Sequence, residues 1–432
     1  MNPTVRPGPV RHDGEVAPHL PPSELLGPRA VVIVFLTFAL PYFLSALLRA
    51  ITATLSPTLS AEMSLNAGDL GLLAGGYFFG FALTQLPLGN WLDRHGPRTV
   101  ILWFLGVAVA GCAAFALATS FSWLLIARVL IGMGVSACLM APLTGYRRWL
   151  TPLAQMRANS WMLMTGSFGM VAATLPVQWL MPLTGWRGLF WLLGGLILLS
   201  MVGIVWMVPR WRQTEPVEAA PVAEAGYGMV WRHPYFRQMV PIGFVNYGGM
   251  IAVQTLWAGP WMVKVAGYTP EQAAGGLFGI NLCMLCTFWL WGMFNPRLAR
   301  QGWLPERLIA WGLPLSFVVL AAIVLLGERA GWPLWALYCV SCTVGSLSQP
   351  AVALALPAEA AGRALSGYNL VIFGGVFVVQ WGIGLLIDAL GLFVGNEIAR
   401  YRGAIALFGL CGVLAYAVFL HAHLRRAAGR AG

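Results

Sequence analysis

Two arginines stand where arginine is costly. Arg49 lies inside the apolar run 30–58 and Arg128 inside the run 121–145. A guanidinium at the centre of a membrane-length apolar segment costs about 2.5–3.5 kcal/mol on insertion scales, so such residues are rare and are kept for function or for a partner. No acid is placed to be that partner. Of the 15 Asp and Glu, none falls in the middle of an apolar run; Asp388, near the end of the run 365–390, comes closest. Two guanidiniums without an internal counter-ion attract a carboxylate or a phosphate, because their planar forks of donors match both. Tyr42, Ser45, Thr52 and Ser56 recur with Arg49 at helical spacing and share its face. Two plainer roles stay open: Arg128 bonded to backbone carbonyls or engaged in proton coupling, and Arg49 snorkelling to the interface.

Uncharged groups in the second half extend the set. Asn246, Gln254, Trp257, Asn281 and Asn369 are candidate substrate contacts, and each is equally a candidate for helix–helix hydrogen bonding or packing. Nothing points to catalysis. There is no nucleophile–base constellation, no H-E-x-x-H and no G-x-x-x-x-G-K-[ST] loop for ATP. Cys283/Cys286 and Cys339/Cys342 each form a C-x-x-C, but no histidine is nearby to complete a metal site, so they read as small packing residues. The expectation is no catalytic residue, no metal and no cofactor.

The elements that must carry these residues follow from composition. The chain has 432 residues, 59% hydrophobic and only 9% charged, too apolar for a water-soluble domain. A helical span needs about 20 apolar residues. Twelve such runs can be read: 30–58, 69–92, 99–119, 121–145, 158–183, 187–208, 237–265, 271–294, 306–327, 332–357, 365–390 and 398–422. They are too long and too uniformly apolar for β-barrel strands, so the expected class is an all-α membrane protein. Counting from the run ends puts both arginines roughly 10–12 Å below the outer surface.

The net charge of +11 invites a nucleic-acid partner, and sorting the charges removes it. With the N-terminus in the cytoplasm, nineteen of the 26 Lys and Arg fall in cytoplasmic segments. Five (Arg187, Lys264, Arg329, Arg400 and Arg402) fall outside, and Arg49 and Arg128 fall within spans. This is the positive-inside asymmetry. It predicts a multi-pass protein of the cytoplasmic (inner) membrane, with both termini cytoplasmic and lipid as its surroundings. Residues 1–29, with seven prolines, read as a disordered cytoplasmic tail rather than a signal peptide. Residues 209–236 read as a cytoplasmic linker between six spans (30–208) and six more (237–422), with 423–432 as a second tail.

One polar turn stands out. "GNWLDRHGPRTV", residues 89–100, sets Asp93, Arg94, His95 and Arg98 within six residues. Arg94 and His95 suit the end of one helix, Pro97 suits the first turn of the next, and Gly89 suits close helix approach. Asp93 does not suit the negative end of a helix dipole and needs a partner; Arg147, Arg148 and Arg363 are the candidates. Gly89, Asp93, Arg94, Gly96 and Arg98 resemble the G-x-L-x-D-R-x-G-R-R signature of the major facilitator superfamily, with departures at Trp91 and Pro97. "LLIARVLIGMGVSA" resembles a second motif of that family, on Arg128, Gly132 and Gly134. A faint internal repeat places Arg297 five residues after Gly292, with Pro296 where the first copy has Asp93.

The resemblance implies two pseudo-symmetric six-helix bundles around a central site, and a cytoplasmic gate locked by Asp93 when the carrier faces outward. The first run also faintly resembles organophosphate and sugar-phosphate permeases, which carry an Arg in helix 1. Their second Arg, in helix 7, is absent here, where Asn246, Tyr247, Gln254 and Trp257 stand instead. The G-P-x-x-G-G pattern of drug/proton antiporters is missing. The combined expectation is a monomeric secondary transporter of a small organic anion, by proton symport or anion exchange. An exporter of amphipathic compounds and a non-transporting membrane sensor or scaffold are the alternatives.

Overall fold

The computed structural model describes residues 25–210, 227–357 and 360–431, and every regular element in them is helical. The expected tail over residues 1–24 and the middle of the expected linker, 211–226, lie outside the described residues. α1 (Pro28–Met63) starts on a proline, whose missing N–H is no loss in a first turn. α2 (Ala67–Leu83) begins with a capping box: Asn66 accepts from the N–H of Asp69, and Asp69 accepts from the N–H of Asn66. α3 (Gln85–Leu117) carries the charged turn inside it. The chain bends at Gly96, whose φ of 74° is natural only to glycine. α4 (Phe121–Val135), α5 (Ala137–Trp149) and α6 (Pro152–Ala172) follow, and α7 (Leu175–Met207) bends at Gly185 in the same way.

The second half opens with the short α8 (Gly228–Arg232) and α9 (Pro234–Pro241). The rod continues through a π-helical turn (Ile242–Tyr247), α10 (Gly248–Ala252), a second π-helical turn (Val253–Trp257) and α11 (Ala258–Lys264). α12 (Pro270–Arg300), α13 (Pro305–Leu326), α14 (Trp332–Cys342), α15 (Ser348–Leu354), α16 (Ala361–Gly391) and α17 (Glu397–Ala431) complete the chain.

Among the described residues, ten helices are long and apolar enough to cross a membrane. Two of the twelve expected spans do not stand as units. The run 69–92 is split at Thr84 between the 17-residue α2 and the start of α3. The run 158–183 is shared between α6 and the start of α7. In both cases the expected loop to the next span is a glycine bend between continuous helical stretches, which counting apolar residues cannot see. α1 also runs five residues past its expected end, through Pro57 to Met63. Arg49 is therefore about 14 residues, or roughly 21 Å, from that helix end, deeper than the sequence count placed it.

One cluster of buried side chains spans Val34 to Val208, and two others fill the second half. The clusters interlock: Ala252 and Val376 join the first, and Ala53, Leu70 and Ala74 join the second. On the outer faces Trp206, Trp311 and Leu354 are more than three-quarters exposed, an arrangement suited to lipid as solvent.

Candidate functional site

Arg49 sits where the two halves meet. Its guanidinium carbon lies 5.7 Å from the ring centroid of Phe81 on α2 and 5.8 Å from that of Phe373 on α16. Those two rings are 4.5 Å apart, so each half supplies one face of an aromatic support for the cation. The hydroxyls of Tyr77, Tyr42 and Tyr247 lie near the same charge. The Nε of Arg49 is buried without a hydrogen-bond partner among the described residues.

Tyr77 joins Arg49 to Arg128. Its hydroxyl donates to the Ser45 carbonyl at 3.0 Å, and the Arg128 guanidinium lies 5.1 Å over its ring. Arg128 is only 1% exposed. One of its nitrogens donates to the Thr52 hydroxyl, one turn from Arg49 along α1. Its Nε and Nη1 are buried without partners among the described residues. Each unsatisfied buried donor costs about 1–3 kcal/mol, and more on a charged group. The pair therefore leaves three donor nitrogens and two positive charges unmatched by an acceptor among the described residues.

Close helix approach builds this cluster. A Cβ at Gly132 would come within 2.0 Å of the Tyr77 carbonyl oxygen, so α4 reaches α2 only because residue 132 has no side chain. We expect Gly132→Ala to lower the melting temperature and Gly132→Val to abolish the monodisperse peak in gel filtration. A normal profile for the valine variant would contradict this packing.

The other expected site residues divide. Ser45 and Thr52 bond within the cluster, Tyr42 packs on Gly166 of α6, and Ser56 turns back to its own helix at Ala53. In the second half most of the hydrogen bonding is internal. Asn246 donates to the Gly412 carbonyl, Gln254 to Asn281, Asn281 to Leu277 and Trp257 to the Gln380 carbonyl. Asn246 thus faces α17, and its neighbour Tyr247 lies toward Arg49. Asn369 accepts from Gln349 and lies 3.5 Å from Gln85, a polar link between the halves. Tyr77, Phe81 and Phe373, absent from the expected set, are the residues that assemble the site.

The charged turn resolves into separate roles. Gly96 makes the bend. Arg98 donates to the carbonyls of Val205 and Val208, capping the end of α7. An added Cβ at Gly89 would meet nothing within 4 Å, so close approach is not its reason there. Arg94 and Asp93 are exposed; partial desolvation raises the Asp93 carboxyl pKa above its ordinary value, and the nearby charge of Arg147 opposes that rise.

Known proteins share this fold. The profile of the Major Facilitator Superfamily matches residues 38–380. The chain is 23% identical over 356 residues to probable anion transporter 1, chloroplastic, of Oryza sativa subsp. japonica, covering 74% of this chain and 63% of that protein. It thus spans less than two thirds of that relative's length. It is 24% identical over 327 residues to the 4-hydroxybenzoate transporter PcaK of Acinetobacter baylyi, covering 65% of this chain and 71% of that one. The fold is shared with a solved bacterial homolog of the human lysosomal transporter Spinster, with a TM-score of 0.74 at 18% identity, covering 92% of this chain and 98% of that chain. With the profile running through both halves and across both arginines, the chain belongs to the Major Facilitator Superfamily.

Proposed function

We propose that the chain is a secondary transporter of a small organic anion in the inner membrane. Twelve crossings form two six-helix bundles with both termini cytoplasmic, and the bundles rock around the Arg49–Arg128 site. The observation that carries this is the buried arginine pair bridged by Tyr77, with three unpartnered donors in a chain whose acids all avoid the middle of its spans. A substrate carboxylate supplies both the charge and the acceptors. An anion transporter and a 4-hydroxybenzoate transporter among the relatives support a carboxylate over the phosphate ester of the permease resemblance. The Phe81 and Phe373 rings beside Arg49 suit an anion with a flat apolar body. The protein works as a monomer without a cofactor, coupled to protons or to a counter-anion.

Uptake into proteoliposomes tests the reading. 4-Hydroxybenzoate is expected to enter, faster with an inward proton gradient if coupling is symport. Uptake of a hydrophobic cation instead would favour the amphipathic exporter, and ligand binding without flux would favour the sensor. Asp93 is proposed as the cytoplasmic gate residue, acting with Arg147. Asp93→Asn should lower turnover several-fold while leaving the half-saturating concentration nearly unchanged; wild-type turnover would remove the gate role.

A further inference from the structure

The end of the molecule opposite the Asp93 turn is closed by a contact that the substrate site does not use. Asp388, in the last turn of α16, reaches the first half and accepts from the backbone N–H of Ala67 at 3.2 Å and of Gly68 at 2.7 Å. These are first-turn donors of α2, which no helical carbonyl can satisfy. The accounting at this helix start is complete: the capping box serves the N–H groups of Asn66 and Asp69, and Asp388 serves those of Ala67 and Gly68. The carboxylate also meets the positive end of the α2 dipole. Half of the cap of a helix in one bundle is therefore a side chain from the other.

The backbone is shaped around this contact. A Cβ at Gly68 would lie 2.7 Å from the Asp388 Oδ2, and a Cβ at Gly384 would lie 2.3 Å from the Ala67 carbonyl oxygen. Further along the same pair of helices, a Cβ at Gly71 would lie 2.4 Å from the Gln380 carbonyl oxygen. The seam between α7 and α12 has a weaker counterpart, Gln178 to Glu271 at 3.5 Å. Of the two contacts across the halves, the one at Asp388 is the shorter and makes two hydrogen bonds.

We infer that Asp388 is the outer latch of the carrier. Its carboxylate on the start of α2 holds this end of the two bundles shut, and the Arg49–Arg128 site opens on that side only when the two hydrogen bonds break. The inference rests on the alternating-access reading above. The strength of the latch sets the balance between the two open states, so weakening it shifts the resting population without any substrate.

The test is a distance measurement. Spin labels are placed by Ala61→Cys and Phe393→Cys, exposed positions on either side of the seam, in protein whose native cysteines are replaced, reconstituted in liposomes. A short distance should dominate with Asp388 present. Asp388→Asn, which removes the charge but keeps the size, should raise the long-distance population several-fold. An unchanged distribution would overturn the latch. Should that variant fail to fold, Gly68→Ala keeps the acid but forces its oxygen away, and the same two outcomes decide. No substrate enters this measurement, so its failure leaves the anion reading standing, and absence of anion uptake by the wild type leaves the latch standing.

Discussion

Arg49→Gln will abolish uptake of an organic anion and leave the protein folded. Glutamine keeps a polar amide on a shorter side chain and removes the charge and the forked donors. Charge-assisted hydrogen bonds contribute about 1.5–3 kcal/mol each, so losing a two-point contact weakens binding by roughly 100-fold or more. Folding survives because Arg49 contributes little to it. Its protein contacts are two ring faces at 5.7 and 5.8 Å and nearby tyrosine hydroxyls, and its Nε is unpaired. Cation–π contacts of that kind are worth about 0.5–2 kcal/mol. The check is uptake beside a melting curve. Retained uptake would take Arg49 out of the site, and loss of the folded peak would make it a structural residue.

Arg128→Met should have effects of opposite sign on stability and function. At 1% exposure, with Nε and Nη1 unpartnered, Arg128 is a buried charge satisfied mainly by one hydroxyl and one ring face. Replacing buried ionic groups by apolar side chains of similar volume is often neutral or stabilising by about 1–4 kcal/mol. Methionine fills the space and adapts to its shape. The empty variant should therefore melt at or above the wild-type temperature while anion uptake falls to background. This is the trade expected where a site keeps unmet charge for its ligand. A variant that melts lower yet transports normally would show that Arg128 is a structural tie between α4 and α1.

What could be seen in advance depended on contrast. Arg49, Arg128 and the 89–100 turn were legible because charge is conspicuous in a chain with 9% charged residues. Phe81 and Phe373 were not, because they are two of 22 Phe and look like any other core residue. Their role comes from a contact between halves almost 300 residues apart in sequence, which helical periodicity cannot reveal. Asn246 and Tyr247 are adjacent, and spacing alone does not say which of them faces Arg49. The π-helical turn at Ile242–Tyr247 widens the local spacing, so a face assigned at 3.6 residues per turn slips there. The spans 69–92 and 158–183 were blurred for a related reason, since glycine bends replaced the loops that end an apolar run. Asp388 was noticed as the acid nearest a span interior, but its partners are backbone N–H groups, which no sequence pattern displays.

The central claim is that the site recognises negative charge. Equilibrium binding of 4-hydroxybenzoate and of 4-hydroxybenzamide to the purified protein tests it most directly, since the two share ring and hydroxyl and differ in charge. The arginine pair predicts saturable binding of the acid, little binding of the amide, and loss of the acid's binding in Arg49→Gln. Equal binding of acid and amide, or binding of the acid undiminished in Arg49→Gln, would contradict it.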